Sequence, residues 1–406
     1  MEKLKGLIFK HSSLLIMAIG SVSIFLSNII LKDLLSAESY GVYSIFITYV
    51  SIISSFGLLG FEQVFLRITD NSQKDTLVTD SALIAILIFV WLIFGFICAF
   101  LFDHYFFKST IYLELLVIST LGISLSMFLY NVFRINSNFF VAQLFSNYWK
   151  IALFLISISI LLMGNITIEF ILNFLVGTFL LFSFGGLLLL FRKIDFKVQK
   201  TEKPLRILLF AFQFFISLLT LSIIGQGDKL FIEKNFGLEK LGEYFYLANI
   251  FIFPFSMLQS YVGFKELVNF KKSFSKQFFL RKIKNINLMG LLLSLFLLSI
   301  SWIGSEVGIL KVNLNVNLWL AVVFLMIGIS KLNYAMLSSV FGAIGEVNSI
   351  FRANFQFLGI SILFVFACYS WMNSLILVSL AILILWIIRI LVWNYNLFKQ
   401  VNENSV

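Results

Sequence analysis

The chain has 406 residues, of which 60% are hydrophobic and 12% are charged, whereas about 25% of residues are charged in an ordinary soluble domain. A net charge of +10 is compatible with nucleic-acid binding, but in so apolar a chain the placement of Lys and Arg matters more than their sum. We therefore predict a membrane protein with no nucleic-acid partner. Cys98 and Cys368 are the only cysteines, which excludes a disulfide framework.

Apolar runs of about 20 residues, the length that crosses a hydrocarbon core, recur along the whole chain. The runs are continuously apolar and do not alternate, which excludes a membrane β-barrel and predicts helices. Lys32-Asp33 follows the first run without a small-residue cleavage site, so we interpret this run as a span and not as a signal peptide. The twelve predicted spans are 8–31, 42–66, 81–102, 111–133, 139–163, 168–191, 206–227, 243–264, 283–303, 316–341, 351–371 and 374–397.

Lys and Arg are distributed unequally between alternate loops. The loops on the side of the N-terminus receive 22 of them, including six in 192–206, seven in 265–284 and Arg389, while the opposite loops receive six. Because cytoplasmic loops are enriched in Lys and Arg, both termini are predicted to be cytoplasmic. The basic loops are also suited to contact anionic membrane lipids.

A weak internal repeat divides the chain into halves. Segments 37–43 and 238–244 share Glu, Gly and Tyr at the same offsets, 201 residues apart, and follow the first span of each half. A duplication of six spans preserves orientation, which gives a pseudo-two-fold axis parallel to the membrane normal. We therefore predict an all-α fold of two six-helix bundles, residues 1–200 and 201–406, joined by the loop at 192–205.

Polar side chains inside the predicted spans mark a candidate cavity. A charge at mid-membrane costs about 2.5–3.5 kcal/mol on insertion scales, so such residues usually face water and a partner. Gln143, Asn147 and Lys150 in span 5 are spaced to share one helical face. This stripe is either a cavity lining or a buried hydrogen-bonded seam. Lys331 lies in the middle of span 10 beside Asn333, so each half holds one deep lysine.

Three further features concern single spans. Glu62 and Arg67 lie near the inner end of span 2, where they are interpreted either as charged groups of the cavity or as side chains that snorkel to the interface. Asp228 and Lys229, at the outer end of span 7, are interpreted as an interfacial ion pair of little energetic weight. Pro254 predicts a kink in span 8.

No catalytic residues, metal or cofactor are predicted. His11 and His104 do not stand at metal-ligand spacing, and the sequence contains no phosphate-binding glycine loop. The largest predicted outer loop, at about 226–242, is too short to fold as a catalytic domain. The chain is therefore predicted not to be an enzyme.

Three stretches of the sequence carry a resemblance to a known family. They are LSAESYGVY at 35–43, Phe56-Gly57-Leu58 followed by Arg67, and Gly227-Asp228-Lys229-Leu230 followed by 238–244. With twelve spans in two halves, the chain resembles the polysaccharide and O-antigen repeat-unit flippases. These form the Wzx-like branch of the multidrug/oligosaccharidyl-lipid/polysaccharide (MOP) exporter superfamily.

The resemblance implies a MATE-like fold in which two bundles rock about a central cavity. It also implies translocation of an undecaprenyl-diphosphate-linked oligosaccharide across the bacterial inner membrane, for O-antigen, capsule or lipopolysaccharide biosynthesis. Coupling to H⁺ or Na⁺ and association with polysaccharide assembly proteins are further expectations. Under this hypothesis Lys150 and Lys331 balance the diphosphate, with Arg67, Arg134 and Arg352 adding charge near the inner mouth. Gln143, Asn147 and Asn333 would contact sugar hydroxyls.

Several alternatives stay open. A membrane polymerase of the same lipid-linked units would be an enzyme and usually carries a large external loop. A cation-coupled drug exporter of the same superfamily would prefer buried carboxylates in the first half, whereas the deep charges here are lysines. A peptidoglycan-lipid flippase typically has two more spans than this length accommodates. A membrane scaffold without transport activity leaves the deep lysines unexplained.

Overall fold

The helices of a computed structural model confirm the predicted fold class. The structure describes residues 2–69, 76–107, 110–164, 167–199, 204–272, 274–308, 310 and 314–403. Within these ranges, 11 helices are long and apolar enough to cross a membrane, and one bent helix pair brings the number to 12. The chain is a multi-pass, all-α membrane protein. It divides into two compact units, Met1–Ser222 and Ile223–Val406.

The first unit contains eight complete helices, two short strands and the beginning of a ninth helix. They are α1 (Glu2–Leu34), α2 (Ala37–Phe56), α3 (Phe61–Ile68), β1 (Thr76–Asp80), α4 (Ser81–Phe89), α5 (Gly95–Phe102), α6 (Thr110–Ile135), α7 (Phe139–Met163), α8 (Ile168–Lys193), β2 (Asp195–Gln199) and α9 (Pro204–Phe236). Two π-helical segments, Val90–Phe94 and Asp103–Phe107, join and extend α4 and α5. Together these four pieces form the single span Ser81–Phe107.

The second span is broken, although the sequence predicted one continuous helix there. Helices α2 and α3 are separated by a turn in which Leu59 and Gly60 have φ angles of 51° and 81°. A Cβ atom at Gly60 would stand 2.7 Å from the carbonyl oxygen of Ala211 in α9. Both the left-handed conformation and the close backbone approach favour glycine at this position.

The two strands give an independent indication of the order of the spans. Strand β1 pairs in parallel with β2, with Thr76 opposite Asp195 and Asp80 opposite Gln199. The pairing places the connection after span 2 and the connection after span 6 on the same side of the membrane. An even number of intervening spans is needed for this, and the predicted alternation provides four.

The second unit is built from the end of α9 and six further helices. They are α10 (Leu238–Phe251), α11 (Phe253–Lys272), α12 (Lys276–Glu306), α13 (Leu314–Ile344), α14 (Val347–Cys368) and α15 (Leu375–Glu403), with a 3₁₀ turn at Tyr369–Trp371. Helices α10 and α11 meet at an angle of 48°. Pro254, the second residue of α11, lacks the backbone N–H of a continuous helix, so the predicted kink is confirmed.

The segment predicted as the largest outer loop is helical. Helix α9 continues to Phe236 and α10 begins at Leu238, so Gly237, with a φ angle of 84°, is the only residue between them. The boundary between the two units falls inside α9, whereas the sequence indicated the connection at 192–205. The sequence analysis predicted a shorter helix because the polar residues in the second half of α9 end the apolar run.

Candidate functional site

The predicted polar stripe on α7 is a chain of hydrogen bonds. The Lys150 ammonium donates to Asn147 Oδ1 at 2.9 Å, and Asn147 Nδ2 donates to Gln143 Oε1 at 3.1 Å. The three side chains therefore share one helical face, as their spacing predicted. Lys150 also lies 5.7 Å from the ring centroid of Trp149, which adds a cation–π contact.

The middle of this stripe lies in a helix–helix seam. Asn147 is 2% exposed, and a Cβ atom at Gly20 of α1 would stand 2.6 Å from its Cβ. Gln143 and Lys150 are half-buried. Asn147 therefore positions the Lys150 ammonium, while Gln143 and Lys150, at the two ends of the stripe, keep some accessible surface.

Lys331 is held inside the second unit. Its ammonium donates to Ser256 Oγ of α11 at 2.8 Å and lies 5.8 Å from the ring of Trp386 in α15. The neighbouring Asn333 donates to Asn287 Oδ1 of α12 at 2.7 Å. These contacts direct both side chains of α13 towards other helices of their own bundle.

The Asp228–Lys229 pair is buried, so its interpretation as a solvated interfacial pair is wrong. Asp228 is 6% exposed and accepts a hydrogen bond of 2.6 Å from the hydroxyl of Tyr244. The Lys229 ammonium is 3.9 Å from Asp228 Oδ1 but donates at 2.7 Å to Gln226 Oε1 and at 3.1 Å to the Gly225 carbonyl. The sequence was misleading here because α9 extends past the apolar run into the bundle.

Arg389 is a buried cation that the sequence analysis assigned to a cytoplasmic loop. That assignment is wrong, because Arg389 lies in the middle of α15 and is 0% exposed. Its Nη2 donates to the Tyr334 hydroxyl at 2.8 Å and to Asn354 Oδ1 at 3.2 Å. The rings of Tyr334, Phe357 and Trp393 surround it at 4.7, 5.0 and 5.3 Å. Its position inside predicted span 374–397 was the signal that could have identified it.

Glu62 and Arg67 have different surroundings. Glu62 is 8% exposed, and its Oε2 has no hydrogen-bond partner among the described residues. Arg67 is exposed and lies 4.8 Å from the ring of Phe214 in α9. Glu62 also lines a cavity of about 270 Å³ in the first unit, which has polar and apolar lining residues and reaches Arg134 at the end of α6.

These helices, with charged groups buried among them, define a polytopic, all-α membrane protein. No protein-family model and no curated protein matches the chain. Its solved structural neighbours include the lipid II flippase MurJ in an inward closed conformation, with a TM-score of 0.66 and 15% identity over 96% of this chain and 87% of MurJ.

Two further neighbours are transporters. A MATE protein in its straight conformation matches with a TM-score of 0.60 and 14% identity, over 98% of this chain and 96% of that chain. A MOP superfamily transporter from Pyrococcus furiosus, whose binding pocket is described as having reverse polarity, matches with a TM-score of 0.62 and 14% identity. The match covers 96% of this chain and 93% of that chain. Identities this low show a shared fold.

Proposed function

We propose that the chain is a flippase for undecaprenyl-diphosphate-linked oligosaccharide repeat units, such as those of O-antigen or capsule, in the bacterial inner membrane. Transport proceeds by alternating access, with both termini on the cytoplasmic side. One observation carries the proposal: each unit holds a half-buried lysine in mid-span whose ammonium is hydrogen-bonded within its own unit. Lys150 contacts Asn147, and Lys331 contacts Ser256.

The chemistry of the cargo explains why lysines would be placed there. A diphosphate and its glycan cross hydrocarbon only if charge and hydroxyl groups find partners. A lysine ammonium has three donors, and each of these lysines uses one of them in the contact with its neighbouring side chain. No hydrogen bond to another described residue uses the remaining donors, which we assign to phosphate oxygens of the cargo. Gln143 and Asn333 are the amides we assign to sugar hydroxyls.

The second unit supports an anionic rather than a cationic cargo. Lys229, Lys331 and Arg389 bring three positive charges into its helices. Asp228 and Glu266 are buried carboxylates of this unit, and Glu266 is paired with Lys282. A carrier of cationic drugs would gain nothing from this excess of positive charge, because like charges repel in a weakly screened interior. The MurJ and MATE neighbours support the transporter class, and the charges support the cargo.

Asp228 is the group we assign to coupling with H⁺ or Na⁺. An ionised carboxylate that is buried without a partner raises the free energy of the conformation that buries it. Binding of a proton or a cation to the carboxylate therefore changes the relative free energies of the conformations. Asp228 lies on α9, and the Tyr244 hydroxyl of α10 donates to its carboxylate, so this group joins the two helices. Binding or release at Asp228 therefore acts on the angle between these helices.

A membrane polymerase is the second candidate, and the geometry disfavours it. The segment at 226–242, which offered the largest outer loop, is taken up by α9, Gly237 and α10. The experiment that separates the two functions is the transport of a lipid-linked oligosaccharide by the purified protein in proteoliposomes. Loss of transport in Lys150→Ala and Lys331→Ala is expected, and unchanged transport in both variants would overturn the proposal.

A further inference from the structure

Two cavities in the first unit meet at a common wall. The head cavity, of about 270 Å³, lies among α2, α3, α6 and the middle of α9, and it includes Glu62, Gln63, Asn131 and Arg134. The chain cavity, of about 280 Å³, lies among α4, the adjoining π-helical segment, α6, α8 and β2. Leu58 and Ser124 line both of them.

The head cavity contains buried polar atoms that lack protein partners. Glu62 Oε2 and Ser124 Oγ have no hydrogen-bond partner among the described residues, although the two side chains are only 8% and 1% exposed. Buried polar atoms are normally satisfied, and leaving one unpaired is costly. Both side chains therefore have hydrogen-bonding capacity that the described residues do not use. Ser54, Ser55, Gln63, Tyr130 and Asn131 add neutral polar groups around them.

The break in span 2 shapes this cavity. Gly57 begins the turn between α2 and α3, and a Cβ atom there would stand 2.7 Å from Ser124 Oγ. Irregular backbone within a membrane is tolerated where it is buried in protein or lines a cavity. The turn therefore brings the backbone onto α6 beside Leu58 and Ser124, the residues that line both cavities.

The chain cavity is apolar and opens to the outside of the unit. Ile88, Phe191 and Val198 line it while 51%, 74% and 56% exposed. Trp91 fixes its inner wall, because its indole N–H donates to the Leu121 carbonyl at 2.8 Å. A dry aliphatic cavity of about 150 Å³ already binds benzene, so this larger one has room for several branched hydrocarbon carbons.

We infer that the two cavities form one site for the junction between the sugar and the isoprenoid chain of a lipid-linked saccharide. The sugar nearest the lipid occupies the head cavity, where Glu62 and Ser124 bind its hydroxyls and Arg134 faces its phosphates. The first isoprene units occupy the chain cavity. The identity of this ligand rests on the proposed function, whereas the amphiphilic character of the site follows from its lining.

The composition of the head cavity favours a sugar over a phospholipid headgroup. An ethanolamine headgroup needs one carboxylate and one cation, which Glu62 and Arg134 provide. It leaves the hydroxyl and amide groups of Ser124, Gln63 and Asn131 unused. A pyranose ring carries several hydroxyls that both donate and accept, and so it matches the full set of polar groups.

The site lies at the end of the unit where the sequence predicts the cytoplasm. Arg134 is in the last turn of α6, and Phe196 and Val198 of the chain cavity belong to β2. The exposed mouth at Ile88 and Phe191 faces the surroundings of the unit at membrane depth. The site is therefore placed to take the ligand from the inner leaflet before translocation.

The test is photo-cross-linking of the full-length protein in nanodiscs. The probe is farnesyl-diphosphoryl N-acetylglucosamine with a diazirine at the end of its chain, and labelled peptides are identified by mass spectrometry. Labelling of α4 and α8 is expected. Ile88→Trp, which narrows the mouth, should lower this labelling about tenfold, whereas the matched control Leu155→Trp, at a 60% exposed position of α7, should leave it unchanged.

Glu62→Gln tests the head cavity. Because hydrogen bonds to charged groups are the stronger ones, labelling by the sugar probe should fall at least about fivefold. Labelling by phosphatidylethanolamine that carries the same diazirine should be weak and should not change. Glu243→Gln, in a solvent-exposed ion pair with Lys240, is the control.

Three outcomes overturn the inference. They are unchanged labelling in Ile88→Trp, equal labelling of α4 and α8 by phosphatidylethanolamine, and full competition of phosphatidylethanolamine against the sugar probe in the unsubstituted protein. The last two need no variant and so do not depend on its folding. If the protein transports the lipid-linked oligosaccharide but the probe does not label α4 and α8, only the proposed site is contradicted. If the probe labels α4 and α8 but the protein does not transport the oligosaccharide, only the proposed function is contradicted.

Discussion

Tyr244 donates its hydroxyl to Asp228 at 2.6 Å, and Tyr43 donates its hydroxyl to Asn28 Oδ1 at 2.6 Å. These tyrosines are the last residues of the two repeat segments, 238–244 and 37–43, which begin α10 and α2. In each half, the tyrosine contacts the preceding long helix, 16 or 15 residues earlier in the chain. The same contact in both halves favours the predicted duplication.

The two contacts should differ in strength. A hydrogen bond to a charged group contributes about 1.5–3 kcal/mol and one between neutral groups about 0.5–1.5 kcal/mol. Tyr244→Phe should therefore destabilise the protein more than Tyr43→Phe in thermal unfolding of the purified protein in detergent. Tyr395→Phe, at a 65% exposed position, is the control and should have no effect. A larger loss for Tyr43→Phe would contradict the assignment of a charged partner to Tyr244.

Asp228→Asn tests the assignment of coupling. The amide keeps the size of the side chain and accepts from Tyr244, but it neither binds a proton at neutral pH nor carries a charge for Na⁺. We expect transport in proteoliposomes to lose its dependence on a pH or Na⁺ gradient while downhill movement of the cargo continues. If Asp228→Asn still transports at the rate of the unsubstituted protein in response to the gradient, another residue must couple transport to the ion.

Gly60→Ala tests the break in span 2. The alanine would have to adopt a φ of 81° with its Cβ 2.7 Å from the Ala211 carbonyl oxygen. The cost should be at least about 1–3 kcal/mol, the range for a residue in a strained backbone region. Gly177→Ala in α8, where an added Cβ meets nothing within 4 Å, should be neutral or slightly stabilising. Equal unfolding temperatures for the two variants would rule out the left-handed turn.

Arg389→Met separates the charge of Arg389 from its packing. The described residues contacting Arg389 offer hydrogen-bond acceptors and aromatic rings, and the substitution removes a desolvated charge together with those contacts. The substitution leaves the buried Tyr334 hydroxyl and Asn354 Oδ1 without the partner they have in Arg389. A buried polar group left unpaired costs about 1–3 kcal/mol, so we expect the free energy of unfolding to fall by about that amount. Transport should fall, because the second unit loses one positive charge. Loss of stability with unchanged transport would make Arg389 a structural residue only.

The parts of the fold that could be predicted are those that single segments encode. Apolar runs gave the twelve spans, and Pro254 indicated the bend between α10 and α11, because both depend on local chemistry. The pairing of β1 with β2 could not be predicted, since it joins segments separated by four spans. The turn at Gly57–Gly60 depends likewise on the approach of α9, which no local pattern reveals.

The candidate site shows the same division. Spacing alone placed Gln143, Asn147 and Lys150 on one face, and the hydrogen bonds confirm that arrangement. It could not show that Asn147 packs on Gly20, because that contact belongs to the fold. Arg389 was misassigned because charge counting treats an arginine as a loop residue, whereas its partners Tyr334 and Asn354 lie 55 and 35 residues away.

The most direct test of the account is the transport rate of a lipid-linked oligosaccharide in proteoliposomes containing the Lys150→Ala and Lys331→Ala variants. Each variant should transport at least about tenfold more slowly, since the loss of a charge-assisted hydrogen bond of about 1.5–3 kcal/mol corresponds to that factor. Lys150→Arg and Lys331→Arg should recover part of the rate, and Lys240→Ala, whose side chain is 54% exposed, should match the unsubstituted protein. Full rates in both alanine variants, with folding intact, would contradict a role for the two lysines in moving an anionic cargo.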